Sequence, residues 1–187
     1  MVSIVIDTRE GKLLKFALSS KIPFEKQHLH IGDIHLIKKD KNDNSQILVI
    51  ERKSIPDLLA SIKDGRYREQ KARLNGLLKQ GEIGGWFYLV EGTRQFLYRE
   101  QIKTYYGFII SSQLRDNIQV IHTNNPKDSW EFIVRLGQRF EKDEFKILQI
   151  QHSKTEKDTE QSPTTYIESI KAVKKDNITP SNSQAMA

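Results

Sequence analysis

The chain has 187 residues and a mass of 21.7 kDa, which fits one domain of ordinary size plus a tail. Hydrophobic residues make up 37%, enough for one core, and no run approaches the ~20 apolar residues that a bilayer span needs. Cysteine is absent, which excludes a disulfide framework, a thiolate zinc site and a cysteine nucleophile; 30 Lys and Arg against 24 Asp and Glu leave a net +6, a balance that suits a polyanionic partner such as nucleic acid.

Apolar spacing alternates between strand and helix types up to about Ile150. Ser3–Thr8 reads as a buried strand and Leu13–Ser20 as a short helix. Lys26–Lys38 and Ile47–Lys53 read as two strands around the polar turn 39–45. Ser54–Lys63 and Tyr67–Gln80 read as helices interrupted at Gly65. Gly85–Val90 is a buried strand, Leu97–Leu114 a helix, Gln119–His122 a short strand and Lys127–Phe140 an amphipathic helix. This alternation predicts an α/β domain over residues 1–145. Residues 146–187 read as a polar linker and tail, with one short helix over Thr165–Lys175 that cannot stand alone in water. The tail beyond Ile150 is neutral, so the net charge sits in the domain, and Ile62–Gln80 alone holds six basic residues against two acidic ones. The apolar start, Met1–Asp7, is too brief for a signal peptide, and the absence of cysteine fits an intracellular protein.

The chemistry concentrates in Gly32–Asp57. With the turn centred on Asn42, residues whose numbers sum to 84 lie opposite each other, which sets Asp33 across from Glu51. Opposed carboxylates repel unless something neutralises them, and hard oxygen donors suit Mg²⁺ or Mn²⁺. Glu51 and Lys53 share a strand face while Arg52 points the other way. An acid pair with an adjacent lysine is the equipment of metal-assisted phosphodiester hydrolysis, the lysine holding water or offsetting transition-state charge. Asp7 ends a strand and Glu10 follows at a turn, adding two carboxylates at the same cleft. Each has a plainer reading: Ser54-x-x-Asp57 is a capping box, Glu51–Lys53 a surface ion pair, and Asp7 and Glu10 a strand end and a helix-start charge. Arg66 and Gln70 share a helix face beside this segment and suit a phosphate clamp, whereas Arg68 and Lys71 fit a solvated basic helix as well. His28 and His30 alternate on a strand, but no third zinc ligand is in view. A Gly-rich phosphate loop and a Gly-x-Ser-x-Gly elbow are both missing, which argues against a nucleotide-driven motor and a serine hydrolase.

Gly32-Asp33, a gap, then Glu51-Arg52-Lys53-x-x-x-Asp57 resembles the signature of the XPF-type structure-selective DNA endonucleases. Asp7-Thr8-Arg9-Glu10 looks like that family's opening, and Ser54-Ile55, Asp57-Leu58, Ser61-Ile62 and Gly65-Arg66 with Gln70 look like its continuation; the similarity covers roughly residues 2–142. The resemblance implies a restriction-endonuclease-like nuclease core with a mixed central sheet flanked by helices. It implies Mg²⁺- or Mn²⁺-dependent cleavage of branched DNA (3′ flap, fork or nicked junction) in repair or recombination. Asp33, Glu51, Glu10 and Asp7 are then the metal cluster, Lys53 the catalytic lysine, and Arg52 and Asp57 members of the catalytic signature. Arg9, Arg66, Arg68, Gln70 and Lys71 fall to DNA. The family works as a homodimer or heterodimer, and the helices over 97–114 and 127–140, with Tyr105, Tyr106, Phe108, Trp130, Phe132 and Phe140, are the candidate interface or else ordinary core. The helix-hairpin-helix module that usually follows is not seen, and the compartment is the nucleus or a viral or host compartment holding DNA. Alternatives are a non-catalytic partner subunit of a heterodimeric nuclease, which would be expected to lose the acids kept here, and a junction resolvase.

Overall fold

The computed structural model describes residues 2–39 and 45–142. The expected tail helix and the centre of the hairpin turn lie outside these residues. Six strands form one mixed sheet in the order β2-β1-β3-β4-β5-β6: β1 (Val2–Asp7), β2 (Glu25–Gln27), β3 (Ile34–Lys39), β4 (Ser45–Ser54), β5 (Gly85–Glu91) and β6 (Val120–Thr123). β1–β3 and β3–β4 are antiparallel; β1–β2, β4–β5 and β5–β6 are parallel. Five helices cover the faces: α1 (Gly11–Ser19), α2 (Ile55–Lys63), α3 (Arg66–Gln80), α4 (Arg99–Ile110) and α5 (Pro126–Glu141).

Strand periodicity divides the core in two. Ile4, Ile6, Ile34, Leu36, Leu48, Ile50, Phe87 and Leu89 pack with Leu13, Leu14 and Ala17 of α1 and Trp130, Ile133, Leu136 and Phe140 of α5. Val49, Trp86, Tyr88, Val90 and Val120 on the other face pack with Leu58 of α2, Tyr67 and Leu74 of α3, and Tyr105 and Phe108 of α4. β5 is buried along its whole length, which explains its unbroken apolar run as a central strand covered on both sides. Tyr105, Phe108, Trp130 and Phe140 are therefore core; Phe132 is half-buried and Tyr106 exposed.

The expected β3–β4 register is the observed one, running from Lys39↔Ser45 to Ile34↔Ile50. Two expectations need correction. Lys26–Lys38 is not one strand: β2 and β3 pair with opposite edges of β1, so the chain crosses the end of β1 through residues 28–33. The 97–114 segment is not one uniform helix: α4 gives way to a π-helical turn, Ser111–Arg115, and Asn117 follows in the left-handed region at φ 53°.

Gly32 makes the first change possible. Its φ is +68°, and a Cβ there would stand 2.3 Å from the Val49 side chain on β4. Both the backbone conformation and the close approach require glycine. Gly32→Ala is expected to lower stability by about 2 kcal/mol or more, read as a drop in the midpoint of urea unfolding at unchanged slope.

Candidate active site

One end of the sheet gathers the charged residues. Asp7 ends β1, Asp33 precedes β3, Glu51–Ser54 close β4 and Glu91 ends β5. Because β3 runs antiparallel to both β1 and β4 while β5 runs parallel to β4, the start of β3 and the ends of β1, β4 and β5 meet at this one edge. The crevice beyond the carboxyl ends of parallel strands is the usual place for a site in such sheets.

Asp33 leaves the β ladder just after Gly32. Its N–H donates to the Ile50 carbonyl (3.0 Å), and its own carbonyl accepts from the Asp7 N–H (2.9 Å), so its backbone ties β1 to β4. Its Oδ2 accepts from the Arg52 N–H at 2.8 Å. Burial, then the nearby Glu51 and Glu10 carboxylates, push the Asp33 carboxyl up to about 8. Glu51 is 4% exposed, and its Oε1 accepts from Lys53 Nζ at 3.0 Å. Burial also pushes Glu10 up, and Arg52 opposes that shift.

Arg52 points to the opposite face from Glu51 and Lys53, as strand alternation requires, and becomes the hub of that face. Its Nη1 donates to Glu10 Oε2 at 2.5 Å, while Nε (3.1 Å) and Nη2 (2.7 Å) both donate to Glu91 Oε2. Glu91 also accepts from Ser129 Oγ of α5 at 2.7 Å, and Ser129 Oγ shares a 2.8 Å hydrogen bond with Thr123 of β6. Sequence reasoning missed Glu91 and Ser129. The available signal was an acid closing the all-apolar β5 run, since a lone carboxylate at the end of a central strand needs partners.

The remaining acids stand differently. Asp7 is fully buried, but its Oδ1 accepts from the Arg9 N–H (2.7 Å) and Nε (2.8 Å), and its Oδ2 from Arg9 Nη2 (2.8 Å) and the Leu29 N–H (2.8 Å). Those bonds, led by the Arg9 guanidinium, hold its carboxyl well below the usual range. Asp7 is therefore the residue that builds the turn after β1, and its oxygens are engaged by the protein itself. Asp57 is exposed at the start of α2, where its N–H donates to Ser54 Oγ (3.3 Å) and its Oδ2 accepts from that hydroxyl (2.5 Å). The capping reading accounts for its position.

Of the residues expected at DNA, Arg9 and Arg68 are exposed. Arg66 is exposed and paired with Asp64 at 2.7 Å. Lys71 is instead pinned to Asp116 (2.7 Å) with its ammonium 5.3 Å from the centre of the Tyr67 ring. Gln70 is half-buried, and its Oε1 is a buried acceptor without a partner; the Tyr88 hydroxyl, beside Glu51 in the β4–β5 register, is another. His28 and His30 meet edge to face with ring centroids 5.7 Å apart.

Among the described residues, no three His, Asp or Glu side chains are drawn together closely enough to cage an ion. The donor set nonetheless fits a hard divalent cation in kind: Asp33, Glu51 and Glu10 carry carboxylate oxygens, and burial, with added repulsion from Glu51 and Glu10, raises the Asp33 carboxyl. Positive charge at that point relieves the repulsion.

The ERCC4 domain matches residues 6–136, and the chain belongs to that family. It is 38% identical over 88 residues to a crossover junction endonuclease MUS81 from Oryza sativa, covering 45% of this chain and 13% of that protein. It is 29% identical over 160 residues to the ERCC4 domain-containing protein EP364R of African swine fever virus, covering 76% and 42%. Among solved structures it resembles XPF from Aeropyrum pernix in complex with DNA, with a TM-score of 0.59 and 25% identity over 76% of this chain and 66% of that one. The fold is thus that of the XPF nuclease domain, a restriction-endonuclease-like core. The chain spans less than half the length of these two curated relatives.

In the unfolded chain Asp33 releases its proton near the ordinary 3.8, whereas the fold retains it up to about 8. The folded state therefore holds the extra proton between those values, and metal-free stability falls as pH rises across that window. Asp33→Asn removes the titration. Its stability advantage over the parent in EDTA is expected to widen between about pH 5 and about pH 8, by an amount that shifts melting by several degrees; paired thermal melts read it.

Proposed function

We propose that the protein is a Mg²⁺- or Mn²⁺-dependent endonuclease that hydrolyses phosphodiester bonds in branched DNA such as 3′ flaps, forks and nicked junctions. The observation that carries this reading is that Asp33, Glu51 and Glu10 lie at one edge of the sheet, bridged by Arg52 and Lys53, where burial and then the Glu51 and Glu10 carboxylates raise the Asp33 carboxyl. Family membership and the names of the endonuclease relatives support it.

Asp33, Glu51 and Glu10 would hold the ion, which when bound supplies positive charge to the scissile phosphate and acidifies water. Lys53 lies one hydrogen bond from Glu51, so its ammonium can hold the attacking water or donate to a phosphoryl oxygen as charge builds there. Arg52 holds two of the acids, Asp33 through its backbone N–H and Glu10 through its guanidinium. Arg9, Arg66 and Arg68 supply exposed positive charge for the DNA backbone, and Gln70, on the same helix as Arg66 and Arg68, is half-buried behind them with only its amide N–H group suited to donate to a phosphate.

The partner is a second nuclease-type subunit, identical or related, seated on α4. Tyr98, Ile102, Tyr106, Ile110 and Leu114 recur every four residues along this helix and its π-turn, and all are exposed, Ile110 by 57% and Leu114 by 81%. Such a continuous apolar ridge marks an association surface.

Asp33→Ala and Glu51→Ala are each expected to reduce Mg²⁺-dependent cleavage of end-labelled flap DNA by at least about a thousandfold, with circular dichroism unchanged and EDTA silencing the parent. Cleavage at parental rate in both variants sinks the assignment, and symmetric paired nicks on four-way junctions would favour a resolvase. Ile110→Glu with Leu114→Glu is expected to leave a monomer by light scattering if a homodimer forms through α4, with circular dichroism unchanged and the concentration dependence of the melting temperature lost.

A further inference from the structure

Glu91 raises a question that the proposed reaction does not answer. It is the one charged residue of β5, at the end of the strand, and it is itself buried. Burying a carboxylate is costly, and an apolar residue of similar volume is often as stable in such a place or more so. The counter-charge of Glu91 is the guanidinium of Arg52, whose side chain is only 9% exposed.

The bonds around Glu91 suggest what the acid does. One oxygen, Oε2, accepts from Arg52 Nε, Arg52 Nη2 and Ser129 Oγ, which come from β4 and α5. Ser129 is held in turn: its Oγ lies 2.8 Å from Thr123 Oγ1, and Thr123 is the β6 neighbour of Glu91 in the sheet register. The Arg52 guanidinium is a planar, rigid fork. Fixing its Nε and Nη2 against Glu91 therefore also fixes Nη1, the nitrogen that donates to Glu10. The same residue's backbone N–H donates to Asp33. Arg52 thus touches two of the three acids assigned to the ion, and its orientation is set from behind by Glu91 and Ser129.

We propose that Glu91 and Ser129 are positioning residues of the nuclease site, acting through Arg52 to orient Glu10 and Asp33, two of the acids that would receive a divalent ion. The proposal rests on the nuclease reading above. Loss of an outer partner that orients a ligand group typically weakens ion affinity by about 10- to 100-fold.

The test uses the full chain and Mn²⁺ as the probe, followed by water-proton relaxation without DNA, so that binding is read apart from cleavage. Glu91→Gln keeps the shape and removes the charge; Ser129→Ala removes one donor and carries the test if Glu91→Gln folds poorly. Ser112→Ala deletes another buried hydroxyl, one bonded to Tyr67 on the opposite face, and serves as the control. The expected result is Mn²⁺ half-saturation weakened about tenfold or more in Glu91→Gln and by a smaller factor in Ser129→Ala. Glu91→Asp should recover part of the loss, and Ser112→Ala should bind as the parent does even where its melting temperature falls. Mn²⁺ binding at parental affinity in Glu91→Gln and Ser129→Ala overturns the positioning role while leaving the nuclease reading intact. A parent that binds no Mn²⁺ overturns the metal assignment itself, and the positioning role with it.

Discussion

Like charges forced together at the end of a β-sheet are the constraint around which this molecule is arranged. Asp33, Glu51 and Glu10 approach because three strands end at one place, and the fold opposes their repulsion with two cations on opposite faces. Lys53 answers Glu51 on the α2–α4 side, and Arg52 answers Glu10 on the α1–α5 side. Burial of Asp33, with the nearby Glu51 and Glu10 carboxylates adding to it, still leaves the Asp33 carboxyl raised. A site built for stability alone would not hold three acids here.

Much of this was legible in the residues. The polar turn about Asn42 set the register, because a hairpin centred on one residue pairs positions of constant sum, and β3–β4 obey it. Period-two alternation assigned Lys53 to the face of Glu51 and turned Arg52 away. The Ser54-x-x-Asp57 spacing announced a helix start, and that local capping is how Asp57 is used in the fold. The resemblance to the XPF-type signature pointed to the family that the ERCC4 domain match establishes.

The illegible parts share one cause: they depend on partners far away in the chain. Asp7 reads as a strand-end acid near the cluster, yet its oxygens are claimed by Arg9 and the Leu29 N–H, which only the crossing of residues 28–33 brings close. Lys26–Lys38 alternates well enough to pass for one strand; the break needs Gly32 against Val49, a contact between residues 17 positions apart. Glu91 and Ser129 were hidden in an apolar strand and an amphipathic helix whose patterns report burial and nothing of polar wiring. Lys71 reads as a free cation on a basic helix until Asp116, 45 residues on, is found beneath it.

The two margins of the sheet carry a last implication. β2 offers only Glu25-Lys26-Gln27, three exposed polar residues, and the rim of β6 has its Val120 carbonyl occupied by Gln113 Nε2 at 3.3 Å. Short, charged or capped rims discourage ribbon-to-ribbon growth between molecules. Pairing of this sheet with a strand of another molecule is thereby disfavoured at both margins.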